Sequence, residues 1–256
     1  MKKRKILIIA AAAALVVTLV AIGVIRAYFT EVEVKDNKIT IGNISIELTE
    51  GSFDPDTTYP VVPGSVVEKA PKIKNDGTRD EFVFMTVTVP KAQVTLLDES
   101  DANKGNPKGL DGAQQLFKLI ANPTDPDTAL QVPAVSGRDI DFTYHSGSDS
   151  GEGADGWVLL TSECDTTGSD YDLYVFGYNK KMLPANETVT LFDKVQLKSF
   201  IDGEKKDGVT IGVKAYGIQA DYLRGEAVED VDFTKAHYSA ADLNEIYSIV
   251  KNKAGI

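Results

Sequence analysis

The sequence predicts a mainly β protein built as an antiparallel sandwich, with a loop-rich insertion and a C-terminal helix. Apolar side chains alternate with a period of two in run after run, and Gly, Asn, Asp and Pro punctuate the runs, as in half-buried strands joined by turns. Helical spacing is confined to two places, residues 111–121 and 239–255. Cys164 is the single cysteine, so no intramolecular disulfide can form and a hydrophobic core must hold the fold, which 256 residues can supply.

Ahead of the first strand, MKKRK sets four positive charges before an uncharged run, residues 6–25. This is an export segment whose basic end stays in the cytoplasm. As a helix the run would reach ~30 Å, enough for an anchor and longer than the core of an ordinary secretory signal. Small Ala27 then closes the apolar stretch, followed by Tyr28 and Phe29. What comes next favours removal. Phe29, Glu31 and Glu33 alternate with Val32 and Val34, and a strand fused to a membrane helix without slack would pair poorly. We expect a leader over residues 1–27 cut between Ala27 and Tyr28, with retention as an anchor the alternative. Without that leader, which holds five basic and no acidic side chains, 22 Lys+Arg face 38 Asp+Glu, a formal charge of −16. Such a charge opposes binding to nucleic acid and to anionic lipid, and favours solubility outside the cell.

The strands follow in order. Residues 38–41 and 44–48 read as two short strands hinged at Gly42-Asn43. EFVFMTVTVP, residues 81–90, is the clearest strand: Val83, Met85, Val87 and Val89 share one face, Phe82, Phe84, Thr86 and Thr88 the other, and Pro90 is expected to close it. Further strands are expected at 157–161, 171–178, 188–197 and 208–220, with Val209, Ile211, Val213 and Ala215 on a common face. Between them, residues 91–156 read as an insertion of loops with one short helix, capped by Asp111, turning Leu116, Phe117 and Ile120 inward and stopped after Ala121 by Pro123. At the C-terminus Ser239 can cap a helix with Leu243, Ile246, Tyr247 and Val250 on one face, Lys251 and Lys253 in its last turn and Gly255 beyond.

Candidate chemistry is sparse. His145 and His237 are the only histidines, neither stands in H-E-x-x-H, and they read as a loop residue and a solvated one. There is no G-x-S-x-G, P-loop or G-x-G-x-x-G. Asp98, Asp101, Asn103 and Gly105 suggest a calcium loop. Counted from Asp101, however, position 5 is already Gly105 and position 6 is Asn106, which fails the EF-hand pattern. Weak calcium binding stays open there beside the plainer reading of solvated turn residues. Cys164 reads as a small core or strand-end residue rather than a nucleophile. We therefore expect no catalytic residues, no metal ligands and no cofactor.

Two segments carry a resemblance. The leader ending at Ala27, followed by FTEV and the Gly-containing ITIGNISIEL, is one; PGSVVEKAPKIKNDG, a Pro63-Gly64 turn, a strand with Val66, Val67 and Ile73, and an Asn75-Asp76-Gly77 turn before an apolar strand, is the other. Together they resemble the TasA/camelysin family of exported biofilm-matrix proteins. The match spans the leader and about the first sixty residues after it; DGWVLL, YVFGYNKKMLPANETVTLFDKV and IGVKAYGIQAD are similar in plan to clostridial-type relatives. The resemblance implies a jelly-roll-like β-sandwich, cleavage by a signal peptidase of the W type and, for founding members, assembly into extracellular fibres. Camelysin also carries a metalloprotease label, for which this sequence lacks the residues.

On that basis we expect a leader (1–27), a β-sandwich domain (28–225, interrupted by the 91–156 insertion) and a tail with a helix (226–256). The expected function is a secreted, non-enzymatic structural subunit of the surface or biofilm matrix of a Gram-positive-type bacterium. Its expected partner is itself: the segment freed at Tyr28 would donate Phe29, Val32, Val34, Ile39 and Ile41 to a neighbouring sheet, the alternative being that residues 28–41 complete their own. Signal peptidase would be met on export, the membrane only through the leader before cleavage, and nucleic acid not at all. Two rivals remain. A monomeric surface-binding or adhesion module would need a concave site among Tyr144, Trp157 and Tyr174; a secreted protease would need a hydrolytic site.

Overall fold

A computed structural model describes residues 45–50, 62–122, 129–148, 154–180, 183–203, 209–223 and 231–256. Among these residues fourteen strands run in order: β1 (Ile46–Thr49), β2 (Val66–Glu68), β3 (Lys72–Asn75), β4 (Glu81–Leu96), β5 (Ala113–Gln115), β6 (Phe117–Ile120), β7 (Ala129–Gln131), β8 (Thr143–His145), β9 (Trp157–Leu159), β10 (Tyr171–Tyr178), β11 (Thr188–Thr190), β12 (Lys194–Leu197), β13 (Phe200–Gly203) and β14 (Gly212–Gln219). A helix closes the chain at Ala240–Ala254. Strand pairings within the sheets are antiparallel. The protein is mainly β, as the alternation predicts. Among the described residues no helix is long and apolar enough to cross a membrane.

Everything is arranged on β4, whose two faces serve two cores. Its odd face, Val83, Met85, Val87 and Val89, packs with Ile46 of β1, Ile73 of β3 and Val195 of β12, so the interior lies between the large sheet and the two three-stranded sheets β1-β3-β11 and β2-β12-β6. Its even face, Phe82 and Phe84, packs with Leu243, Ile246, Tyr247 and Val250 of the C-terminal helix. A strand covered on both sides reads as an unbroken apolar run, which is why EFVFMTVTV lacks a polar face. Past Ala92 the helix side ends: Gln93 and Thr95 are exposed while Val94 and Leu96 stay buried, and the sequence there, AQVTL, alternates accordingly.

Pro90 does not end this strand, contrary to expectation. Its carbonyl accepts from Leu116 N at 3.1 Å, and a residue's nitrogen and carbonyl point to the same side of a strand. On that side β14 stops at the Gly212–Thr88 pairing and β5 starts at Gln115–Lys91, so the missing N–H falls where one neighbour hands over to the next.

The helix expected over residues 111–121 is also absent: β5 and β6 occupy this stretch, broken at Leu116. Phe117 and Leu119 face the core while Lys118 and Ile120 are half-buried, a period of two, because β12 and β4 offer hydrogen-bonding edges. The single strand expected at 188–197 is two, since the chain leaves the β3 edge and joins β2 and β6 by way of Leu191 and Phe192, both fully buried. The strand expected at 157–161 stops at Leu159, with a 3-10 turn over Thr161–Glu163, and β14 begins at Gly212 rather than 208. Ile211 and Ala215 are buried in the sandwich core with Val209 and Val213 against it, as expected. Residues 38–41 lie outside the described residues.

The C-terminal helix matches the sequence closely. Ser239 accepts from Asp242 N and the Asp242 side chain answers to the cap backbone, while Gly255 ends the helix in the left-handed conformation at φ 70°.

Candidate functional site

Ala27, Tyr28, Phe29, Val32, Val34, Ile39 and Ile41 all lie outside the described residues. What is described is the place where the chain from that segment enters the body. The Ser45 carbonyl accepts from Asp76 N at 2.7 Å, and β1 then pairs with β3 on one side and lies against β14 across the seam between the sheets. Facing that seam is the first residue of β4. Glu81 is held by reciprocal backbone bonds with Leu183 at 3.2 and 2.6 Å, and its side chain is 0 % exposed.

Neither carboxyl oxygen of Glu81 has a hydrogen-bond partner, and the amide nitrogen of Gln219, directly opposite on β14, is also buried without one. The carboxyl lies over Gly217: a Cβ there would stand 3.1 Å from Glu81 Oε2 and 3.0 Å from Ile46 Cγ2 and would crowd both. Burial pushes this carboxyl up to about 7, with the nearby Ser45 amide working the other way. Sequence reading passed over Glu81, although parity gave the signal: it falls on the face of Val83, Met85, Val87 and Val89, where an acid has no water.

A second buried polar cluster joins β4, β5 and β10. Asp172, 0 % exposed, receives Lys91 Nζ at 2.7 Å and Gln115 Nε2 at 2.5 Å, and pairs with Arg138. Gln115 Nε2 also donates to Tyr174 Oη at 2.8 Å. Two cations on one carboxylate make this a structural knot with no open reacting position. The loop tested for calcium borders a shallow polar hollow lined by Asp98, Asn103, Asn106, Lys108, Arg138 and Asp139. Two of its carboxylate oxygens are engaged: Asp98 Oδ1 accepts from Ser100 N at 2.8 Å and Asp139 Oδ1 from Lys108 at 2.9 Å.

The remaining candidates do not converge. His145 lies on β8 rather than a loop, because it pairs with Ala129 of β7; its N–H bonds Leu191 O at 2.9 Å and its Nε2 meets Asp193 at 2.8 Å. His237 is half-buried against Asp155 at 2.6 Å rather than solvated. Burial works against ionisation of Asp155, but hydrogen bonds from His237 and Lys180 hold it below the usual carboxylate range. Among the described residues no group of three or more His, Cys, Asp and Glu could hold a metal ion. Burial pushes the Cys164 thiol up to about 11, which suits a packing residue and not a nucleophile. Tyr144, Trp157 and Tyr174 form no concave site: all three are in the sandwich core, at 5, 1 and 3 % exposure.

Residues 1–114 match the family model described as camelysin metallo-endopeptidase. Over these residues the chain is similar to the camelysin family. The match takes in the residues expected to form a leader, the entry at β1 and the strands through β4. Comparison with curated proteins and with solved structures returns no match. The description of this camelysin family implies a catalytic metal, and the described residues do not fit one: each histidine is tied to a single aspartate of its own, without a third donor.

Proposed function

We propose that this chain is a secreted structural subunit of the cell surface or biofilm matrix, without peptidase chemistry, which assembles by donating its N-terminal segment to a neighbour. The observation that carries this reading is the family match over residues 1–114, which joins the leader and the strand-patterned segment to the first strands of the body. Two features of the described residues support it. The donor sets around His145 and His237 are too small for a hydrolytic metal. The body also has edges: β1 is bonded to β3 alone, β2 to β12 alone and β14 to β4 alone among the described residues, and an added strand can pair with such an edge. Beside the β2 edge, Val62 and Val66 are 66 and 51 % exposed.

In this reading, cleavage between Ala27 and Tyr28 releases a segment whose Phe29, Val32, Val34, Ile39 and Ile41 each contribute ~1.5–3 kcal/mol on burial in a neighbour, before ordering costs. Deleting Tyr28 to Val34 from the exported protein is expected to leave a folded monomer that no longer assembles. Electron microscopy and sedimentation of both forms test this. An intact exported protein that stays monomeric under every assembly condition, or a deletion that unfolds the monomer, would return the segment to its own sheet.

A further inference from the structure

We infer that Glu81 is a proton-operated latch on the seam between β1 and β14: uncharged, its carboxyl fits the buried space over Gly217, and ionised, it forces β1 and the chain entering at Ser45 away from β14. Among the described residues that face the site none carries a positive charge, and only the Ser45 amide favours the ionised form. From β1 come the Ser45 amide and the Ile46 side chain, and from β14 come Gly217 and the neutral Gln219. β3 ends in neutral Asn75, whose amide is engaged by the carbonyls of Arg79 and Leu183 and whose Oδ1 accepts from Gly77 N. Arg79 and Asp80, next along the chain, are exposed, and no ionised side chain perturbs Glu81.

A carboxylate buried without a counter-charge is costly enough that the site must either take up a proton or open. The weakest wall is β1. It has four residues and among the described residues is bonded to β3 alone, whereas β4 and β14 are joined over eight residue pairs. Short edge elements open locally far more cheaply than the whole fold.

The sign follows from the two acidities. With the seam closed the carboxyl releases its proton at about 7, and with the seam open near the ordinary 4.5. The closed form therefore holds the extra proton, and the open form gains on it as pH rises between those two values and gains no further above them. Over pH 5 to 8 the opening equilibrium should grow on the order of fiftyfold. This holds whether or not the chain assembles.

Native-state hydrogen exchange on the full-length chain tests the latch, with rates corrected for their intrinsic pH dependence. The amides of Ile46–Thr49 are expected to lose about fiftyfold in protection from pH 5 to 8, those of Tyr174 to Phe176 to stay unchanged, and Glu81→Gln to give a flat profile. Equal β1 protection across that range, or the same loss in Glu81→Gln, would overturn the proposal. Should Glu81→Gln not fold, the carboxyl carbon resonance of Glu81 in the unaltered chain decides: a midpoint well above the ordinary glutamate range that tracks β1 exchange supports the latch, and an ordinary midpoint sinks it.

Discussion

At the residue scale, the buried charges mark where this fold is most easily broken. Asp172 satisfies Lys91, itself 2 % exposed, and anchors Arg138 and Gln115 in one cluster. Asp172→Ala would leave Lys91 buried without its counter-charge, and a loss of ~3–5 kcal/mol is expected in urea denaturation monitored by tryptophan fluorescence. A loss under ~1 kcal/mol would mean that water enters the cluster and screens it. Little of this was legible in the sequence. Lys91 and Asp172 are 81 positions apart, and only the antiparallel register of β4 and β10, Asp172 beside Val89, brings them together. Glu81 was within reach of sequence reasoning, since strand parity alone puts it on the core face; its lack of a partner was not.

Local signals decided the elements wherever one period dominated. Ser239, the 243/246/247/250 stripe and Gly255 specify the C-terminal helix without ambiguity, and it forms over Ala240–Ala254. Because Ile246 is 0 % exposed against Phe82 and Phe84's face of the sheet, Ile246→Ala is expected to lower stability by ~2–4 kcal/mol, and Ser239→Ala by ~1 kcal/mol, in the same urea titration. If the two losses fell in the opposite order, the helix would be held by its cap and not by its packing. Residues 111–121 show the limit. Leu116, Phe117 and Ile120 satisfy a helical spacing, Phe117 and Leu119 satisfy a strand, and the sequence does not choose. The free edges of β12 and β4 chose, and the fully buried Gln114 and Gln115 are incompatible with the solvated face of a surface helix.

For the whole molecule, the proposed role separates a matrix subunit from the peptidase named in the description of the family matched over residues 1–114. The purified chain is expected to cleave no protein substrate, and the double substitution His145→Ala with His237→Ala to leave that result unchanged, because each histidine serves one aspartate in a different part of the sheet assembly. Proteolysis that persists through purification, responds to chelators and vanishes in the double variant would establish a metal site and overturn the structural reading.

By itself the sequence determined the β class, the two faces of EFVFMTVTV, the C-terminal helix with both its caps, the turns at Pro63-Gly64 and Asn75-Asp76-Gly77, and the resemblance that the family match bears out over residues 1–114. These are consequences of short-range periodicity and turn chemistry, which a few adjacent residues carry. Only the tertiary structure decided that Pro90 lies inside a sixteen-residue strand, that Tyr144, Trp157 and Tyr174 fill a core instead of lining a site, and that Glu81 is enclosed by β1 and β14 without a partner. Each of those depends on which strand arrives alongside from elsewhere in the chain, and long-range pairing leaves no trace in the local pattern of residues.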